Sequence, residues 1–286
     1  MGAAVLTAIL AVLLSAASAT ARQLCLACHP VHYGERGSCT GCHRGNPATD
    51  RKNIAHQHLI AGRYARFTLG EAAVVSEGQR LLDQYACRRC HVIGNRGNRL
   101  AADLDQAIKR KAPEELAAAI LKPVQNMPAF HLADSQVDTL VNALLQAAAG
   151  RKGAAPAAGP QVVHFDRGGE TGQDLFSKKC GPCHRALTAR LGALGRGEAG
   201  PNLSGLLSPW YPPTFRERQA WTQTSLSTWL KNPRTVRPWA RMQPVVLTEP
   251  EVRELVDILR VEPDRESRTG AAAQGNGGQV PPRGRP

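Results

Sequence analysis

The sequence predicts a mainly α protein, with a loop-rich N-terminal module followed by two helical domains built on one plan. Three observations predict it. The 286 residues hold eight cysteines, all in Cys-x-x-Cys pairs (Cys25/Cys28, Cys39/Cys42, Cys87/Cys90 and Cys180/Cys183), and each pair is followed at once by a histidine: His29, His43, His91 and His184. A repeat surrounds the third and fourth pairs, with Gly78-Gln79-Arg80-Leu81-Leu82 ahead of Cys87 and Gly172-Gln173-Asp174-Leu175-Phe176 ahead of Cys180. Each copy closes on apolar residues at i, i+3, i+4 and i+7, namely Val137, Leu140, Val141 and Leu144, then Val252, Leu255, Val256 and Leu259. That period is the mark of a helix with one buried face.

The chain starts with an uncharged apolar run from Ala3 to Leu14, then small residues ending in Ala19-Thr20-Ala21, an A-x-A cleavage pattern. The run is shorter than the roughly 20 residues that span a bilayer. Residues 1–21 therefore read as a signal peptide that sends the protein to the periplasm. Because no Lys or Arg precedes the run, an uncleaved membrane anchor stands as the alternative.

The cysteine pattern points to a cofactor. With nine histidines in 286 residues, chance placement of one behind all four pairs has odds on the order of one in a million. Cys-x-x-Cys-His is the attachment signature of c-type haem. Two thiols one short turn apart can add to the two vinyl groups of a porphyrin, and the adjacent histidine then reaches the iron as proximal ligand. The expectation is four covalently attached haem c groups, using every cysteine. Zinc does not require a histidine after each pair. A redox dithiol would sit in one βαβ unit rather than recur four times, and a disulfide over so short a loop is strained.

Composition and repetition set the boundaries. Residues 22–69 form the dihaem module, and 70–150 and 168–264 form the two monohaem domains. A Gly/Ala/Pro linker, 151–167, joins the domains, and a tail at 265–286 has almost nothing apolar. Within each copy the order reads helix, haem motif, loop, helix, Met loop, helix. Leu121-Lys122-Pro123 precedes Met127, and Leu230-Lys231-Asn232-Pro233 precedes Met242. Thr248 and Glu251 have the spacing of a capping box for the last helix.

This arrangement resembles the class I cytochrome c fold. In that family an N-terminal helix runs into the Cys-x-x-Cys-His turn, a C-terminal helix packs across it, and a loop between them supplies methionine. Gly200-Pro201-Asn202-Leu203 is similar to the family's Gly-Pro-x-Leu segment, which the first copy lacks. The resemblance covers residues 71–149 and 169–261. It also accounts for the aromatic content of only 5%, since a porphyrin is itself a large apolar core element.

After Met1 the chain has only Met127 and Met242, one per copy at equivalent positions, and these are the expected sixth ligands. His131 is the rival in its domain. The N-terminal module has no methionine but holds five of the nine histidines. His32 is too close to His29 to cross the same porphyrin, so it is assigned to the haem of Cys39/Cys42. One of His56 and His58 then caps the haem of Cys25/Cys28. His56 is preferred, because Leu59 and Ile60 follow it at helical spacing and would line the same face. The module resembles small multihaem cytochromes of metal-respiring bacteria, including those beside selenite and tellurite reduction systems.

Methionine ligation raises an iron potential relative to bis-histidine. The chain thus reads as a periplasmic electron carrier between respiratory redox proteins, with no catalytic residues. Two other readings stay open: a haem enzyme with one open iron that reduces peroxide, nitrite or a selenium or tellurium oxyanion, and a subunit of a membrane redox complex. Basic residues exceed acidic ones by 13. With each ferric haem contributing about −1 when its propionates are ionised, about +9 remains. An acidic docking surface on the partner is expected. Nucleic acid is excluded as a partner by secretion and by the scatter of the basic residues.

Overall fold

The computed structural model describes residues 24–70, 72–124, 126–149 and 173–261. The expected signal peptide (1–21), linker (151–167) and tail (265–286) lie outside the described residues. The chain forms two compact units, one through Gly70 and the other from Glu71. It is mainly α, with nine α-helices and one two-stranded sheet among the described residues. None of these helices is long and apolar enough to cross a membrane.

The first unit is loop-rich. Two short helices, α1 (Cys39–His43) and α2 (Lys52–Ala55), lie among 3₁₀ turns at Leu24–Ala27, Gly34–Arg36, Gly62–Tyr64 and Arg66–Leu69. Backbone bonds between segments hold it: Leu24 N to Pro47 O at 3.0 Å, Asn46 N to Ala55 O at 2.9 Å and Ile60 N to His43 O at 2.7 Å. Ile60, Tyr64 and Ala65 are buried, whereas Leu26, Val31, Tyr33 and Ile54 are exposed. One expectation is corrected here. The helix ends at Ala55 with His56 as its C-cap, so His56, Leu59 and Ile60 do not share a helical face. The chain turns at His58, whose φ of 58° is left-handed and cannot continue a helix, and Ile60 leaves to pair with His43.

In the second unit α3 (Ala72–Gln84) packs against α6 (Asp134–Ala148). Leu81 and Leu82 are buried, as are Val137, Leu140, Val141 and Leu144. Each such side chain stabilises the fold by about 1.5–3 kcal/mol when fully removed from water. Gly78 permits the close approach, because a Cβ there would stand 2.5 Å from Ala143 Cβ. Between these helices lie α4 (Leu104–Arg110), whose N-cap Asp103 accepts from Gln106 N, and α5 (Pro113–Leu121). The single middle helix expected in this copy is therefore two, broken where Pro113 starts a new helix and Glu115 accepts from Ala112 N at 2.8 Å.

The second half of the unit carries α7 (Leu175–Lys179), strands β1 (Ala186–Thr188) and β2 (Gly192–Leu194), α8 (Gln223–Lys231) and α9 (Glu249–Leu259). The strands pair antiparallel, Ala186 with Leu194 and Thr188 with Gly192, where the sequence reads only as loop. Two local features close this hairpin. The Thr188 hydroxyl donates to Gly192 O at 3.0 Å, and Gly192 takes φ 71°. Thr248 and Glu251 cap α9 reciprocally, as their spacing predicts. The core of this half joins Phe176, Leu226, Leu230, Leu255 and Ile258.

The two halves of the second unit meet through polar groups. Buried Asn98 uses both amide hydrogens, donating to Arg89 O and to Ser208 Oγ, each at 2.8 Å. Arg89 donates to Asn202 O at 3.1 Å and lies over the Tyr211 ring. Asn202 Nδ2 donates to Asn126 O at 3.1 Å.

Candidate haem sites

Each Cys-x-x-Cys-His segment is wound into about one helical turn. The histidine N–H reaches the carbonyl of the first cysteine at 3.0 Å in His29 and His91 and at 2.9 Å in His184, and Cys39–His43 is helix α1. At i and i+3 on such a turn the two thiols emerge on one side, as double attachment to a single porphyrin edge requires.

Three of the four histidines are anchored in one way. Nδ1 faces a backbone carbonyl: Ile60 O for His43 at 2.9 Å, Ala102 O for His91 at 2.8 Å and Pro201 O for His184 at 2.8 Å. A proton on Nδ1 held by that carbonyl leaves Nε2 as the lone-pair nitrogen, the arrangement that orients a metal-binding imidazole. Burial pushes the His91 pKa down and keeps that ring neutral and able to ligate.

Three glycines make room for these turns, and of them the sequence points only to Gly200. A Cβ on Gly97 would strike His91 O, and one on Gly195 would strike His184 O. A Cβ on Gly200 would run into the His184 imidazole itself. The Gly-Pro segment thus crosses directly over the ring that Pro201 O orients. No common spacing reveals Gly97 and Gly195, because the β1–β2 hairpin lengthens the loop in the second copy.

Two of the expected sixth ligands lie beside their proximal rings. His29 and His56 have ring centroids 5.9 Å apart, and His32 and His43 have centroids 5.5 Å apart. A metal ion shared by two imidazoles, each bond about 2 Å, would separate the ring centres by about 6 Å. The His29–His56 pair stands near that separation and the His32–His43 pair is somewhat closer, so these are the residues that would hold a bis-histidine iron. His58 forms neither pair, and His131 is exposed with φ 51°. Met127 and Met242 are half-buried, each in the loop ahead of its closing helix. Met242 Sδ also accepts a hydrogen bond from Trp229 Nε1 at 3.0 Å, a contact the sequence reading did not anticipate.

Other uses of the cysteines find less support. All eight lie among the described residues, and none is bridged to another. Burial pushes Cys87 and Cys180 each up to about 11 and raises Cys90, the reverse of the lowered pKa that makes a dithiol reactive. Among the described residues no three His, Cys, Asp or Glu side chains converge on a common metal position, so the closed cysteine site of a zinc ribbon is not formed. The donor set fits haem c.

Residues 73–144 match the family model of cytochrome c oxidase, cbb3-type, subunit III. No curated protein and no solved structure matches the chain. The matched stretch holds Cys87, Cys90, His91 and Met127 and extends from α3 into α6. The match supports a c-type cytochrome domain over these residues; such a domain implies covalently bound haem c and suggests electron transfer through it.

Proposed function

We propose that the chain is a periplasmic tetrahaem c-type cytochrome that carries single electrons between redox proteins. The observation that carries this reading is the recurrence of one donor set. Four Cys-x-x-Cys-His turns each have a second ligand candidate in the same unit, and in two of them the imidazole centres lie within about 6 Å of one another, near the separation of a bis-histidine iron. Cys25, Cys28 and His29 with His56 hold the first haem, and Cys39, Cys42 and His43 with His32 the second. Cys87, Cys90 and His91 with Met127 hold the third, and Cys180, Cys183 and His184 with Met242 the fourth.

Haem c supplies one-electron chemistry when bound; the chain's residues decide its terms. The backbone carbonyls of Ile60, Ala102 and Pro201 fix the tautomer of three proximal rings. With a candidate side chain for the second face of each iron, no open position would be left for substrate, which favours a carrier over a catalyst. Bis-histidine ligation in the first unit and His–Met ligation in the second give two lower and two higher potentials.

Charge supports an acidic redox partner. Residues 209–248, around Met242, hold six Lys or Arg against the single acid Glu217, while residues 101–133, around Met127, hold four of each sign. Trp239, in the Met242 loop, is 80% exposed. The family match over residues 73–144 favours a second reading, a subunit of a membrane terminal oxidase. Fractionation tests it: retention of the protein with an oxidase in detergent-solubilised membranes supports the subunit, and recovery in the osmotic-shock fluid supports the free carrier.

The main test is the intact mass and the absorption spectrum of the mature protein. Four porphyrin additions and a low-spin spectrum without CO binding on reduction are expected. Fewer than four haems, or zinc without Soret absorption, would overturn the tetrahaem reading.

A further inference from the structure

The two methionine sites are alike on the histidine side and unlike on the methionine side. His91 and His184 each give Nδ1 to a backbone carbonyl at 2.8 Å, so the proximal imidazoles are oriented alike. Met242 Sδ, by contrast, receives the indole N–H of Trp229 at 3.0 Å. Among the described residues no group donates to Met127 Sδ. Alignment of Leu121-Lys122 with Leu230-Lys231 places Ile120, which has no donor, where Trp229 stands.

Trp229 is held for this contact. The Arg237 guanidinium lies 5.1 Å from its ring centroid and is tethered by a hydrogen bond to Thr214 O. Trp221 packs edge-on against Trp229 at 5.8 Å, and its own indole N–H is held by Thr214 Oγ1 at 2.9 Å. Phe215 closes the row at 5.4 Å from Trp221.

We infer that Trp229, backed by Arg237, is a positioning residue that raises the potential of the haem ligated by Met242 above that of the haem ligated by Met127, and so sets the direction of electron flow within the second unit. A thioether sulfur has two lone pairs, one for an iron and one for the indole. A hydrogen bond to the second draws density from the sulfur and weakens its donation to ferric more than to ferrous iron. The nearby guanidinium adds a like charge that disfavours the ferric state in the same sense. With haem bound, one electron would pass from the site of His91 and Met127, oxidised from ferrous to ferric, to the site of His184 and Met242, reduced from ferric to ferrous. No proton or atom moves with it. The inference rests on the haem and methionine assignments proposed above.

The test is a haem-resolved redox titration of the full haem-loaded protein. Hydrogen bonds of this kind contribute about 0.5–1.5 kcal/mol. Trp229→Phe should therefore shift the electron distribution between the two methionine-ligated haems about three- to tenfold toward the Met127 side; tenfold equals about 59 mV for one electron. In a Met242→His background the same substitution should shift nothing, since the sulfur is gone. An unchanged potential in Trp229→Phe with its sulfur-to-iron band intact overturns the inference. So does an equal shift in the Met242→His background, which would make the effect one of packing. Should Trp229→Phe lose the band, Arg237→Gln keeps the indole and must lower the same potential; no change there overturns the inference as well. Absence of any sulfur-to-iron band in the parent protein instead refutes the methionine assignments.

Discussion

At the scale of single residues, the N-terminal histidines show how geometry chooses between near-equivalent candidates. His56 and His58 are two positions apart, and both follow α2. Only His56, the C-cap, brings its ring to 5.9 Å from His29; His58 is carried away by its left-handed turn. The proposed pairing has a direct consequence. His56→Ala should leave one iron five-coordinate, so that the reduced protein binds CO at a single haem, while His58→Ala should bind none. CO difference spectra read both, and a CO complex in His58→Ala with none in His56→Ala would reverse the assignment.

At the scale of elements, the closing helix α9 begins in a complete capping box. Thr248 Oγ1 accepts from Glu251 N, and Glu251 Oε2 accepts from Thr248 N at 2.7 Å. The bond from the Thr248 backbone, with a second from its hydroxyl, lowers the Glu251 pKa. A lowered carboxyl pKa means stability that is present above the ordinary carboxylate range and is lost as pH falls through the lowered value. Glu251→Gln should therefore be less stable than the parent at neutral pH, and the difference should vanish in acid. Thr248→Ala should cost about 1 kcal/mol. Thermal melts followed at the Soret band across pH check both. Had the Glu251→Gln deficit persisted unchanged into acid, the box would not be the cause.

The scale of the whole molecule adds an interface and a surface. Within the second unit, Asn98 is buried and both of its amide hydrogens are spent, one on Arg89 O and one on Ser208 Oγ. Asn98→Ala leaves both acceptors without that donor and should destabilise the unit by about 1–3 kcal/mol, read as a lower melting temperature. On the surface, the excess of 13 basic residues sets how a partner is met. Since the Debye length shrinks from roughly 30 Å at 0.01 M salt to roughly 10 Å at 0.1 M, bimolecular electron transfer with an acidic redox partner should slow steeply over that range. A salt-independent rate would place docking on apolar contact instead.

The four Cys-x-x-Cys-His turns were legible in the order of residues. A Cys-x-x-Cys-His turn is local: five consecutive residues set the spacing of two thiols and a ring whatever surrounds them. The closing helices were equally legible, because a buried face writes its 3.6-residue period directly into Val137, Leu140, Val141 and Leu144 and into Val252, Leu255, Val256 and Leu259. What depended on distant segments was not. The break between α4 and α5 and the β1–β2 hairpin arise where a local cap or hydroxyl bond competes with helix, a contest that periodicity does not record. Which carbonyl holds which imidazole, why Gly200 must lack a side chain, and the meeting of Trp229 with Met242 are contacts between residues 11 to 17 positions apart in the chain. Only the tertiary structure brings those groups together, because the path of the loop between them, and not its composition, determines which groups meet.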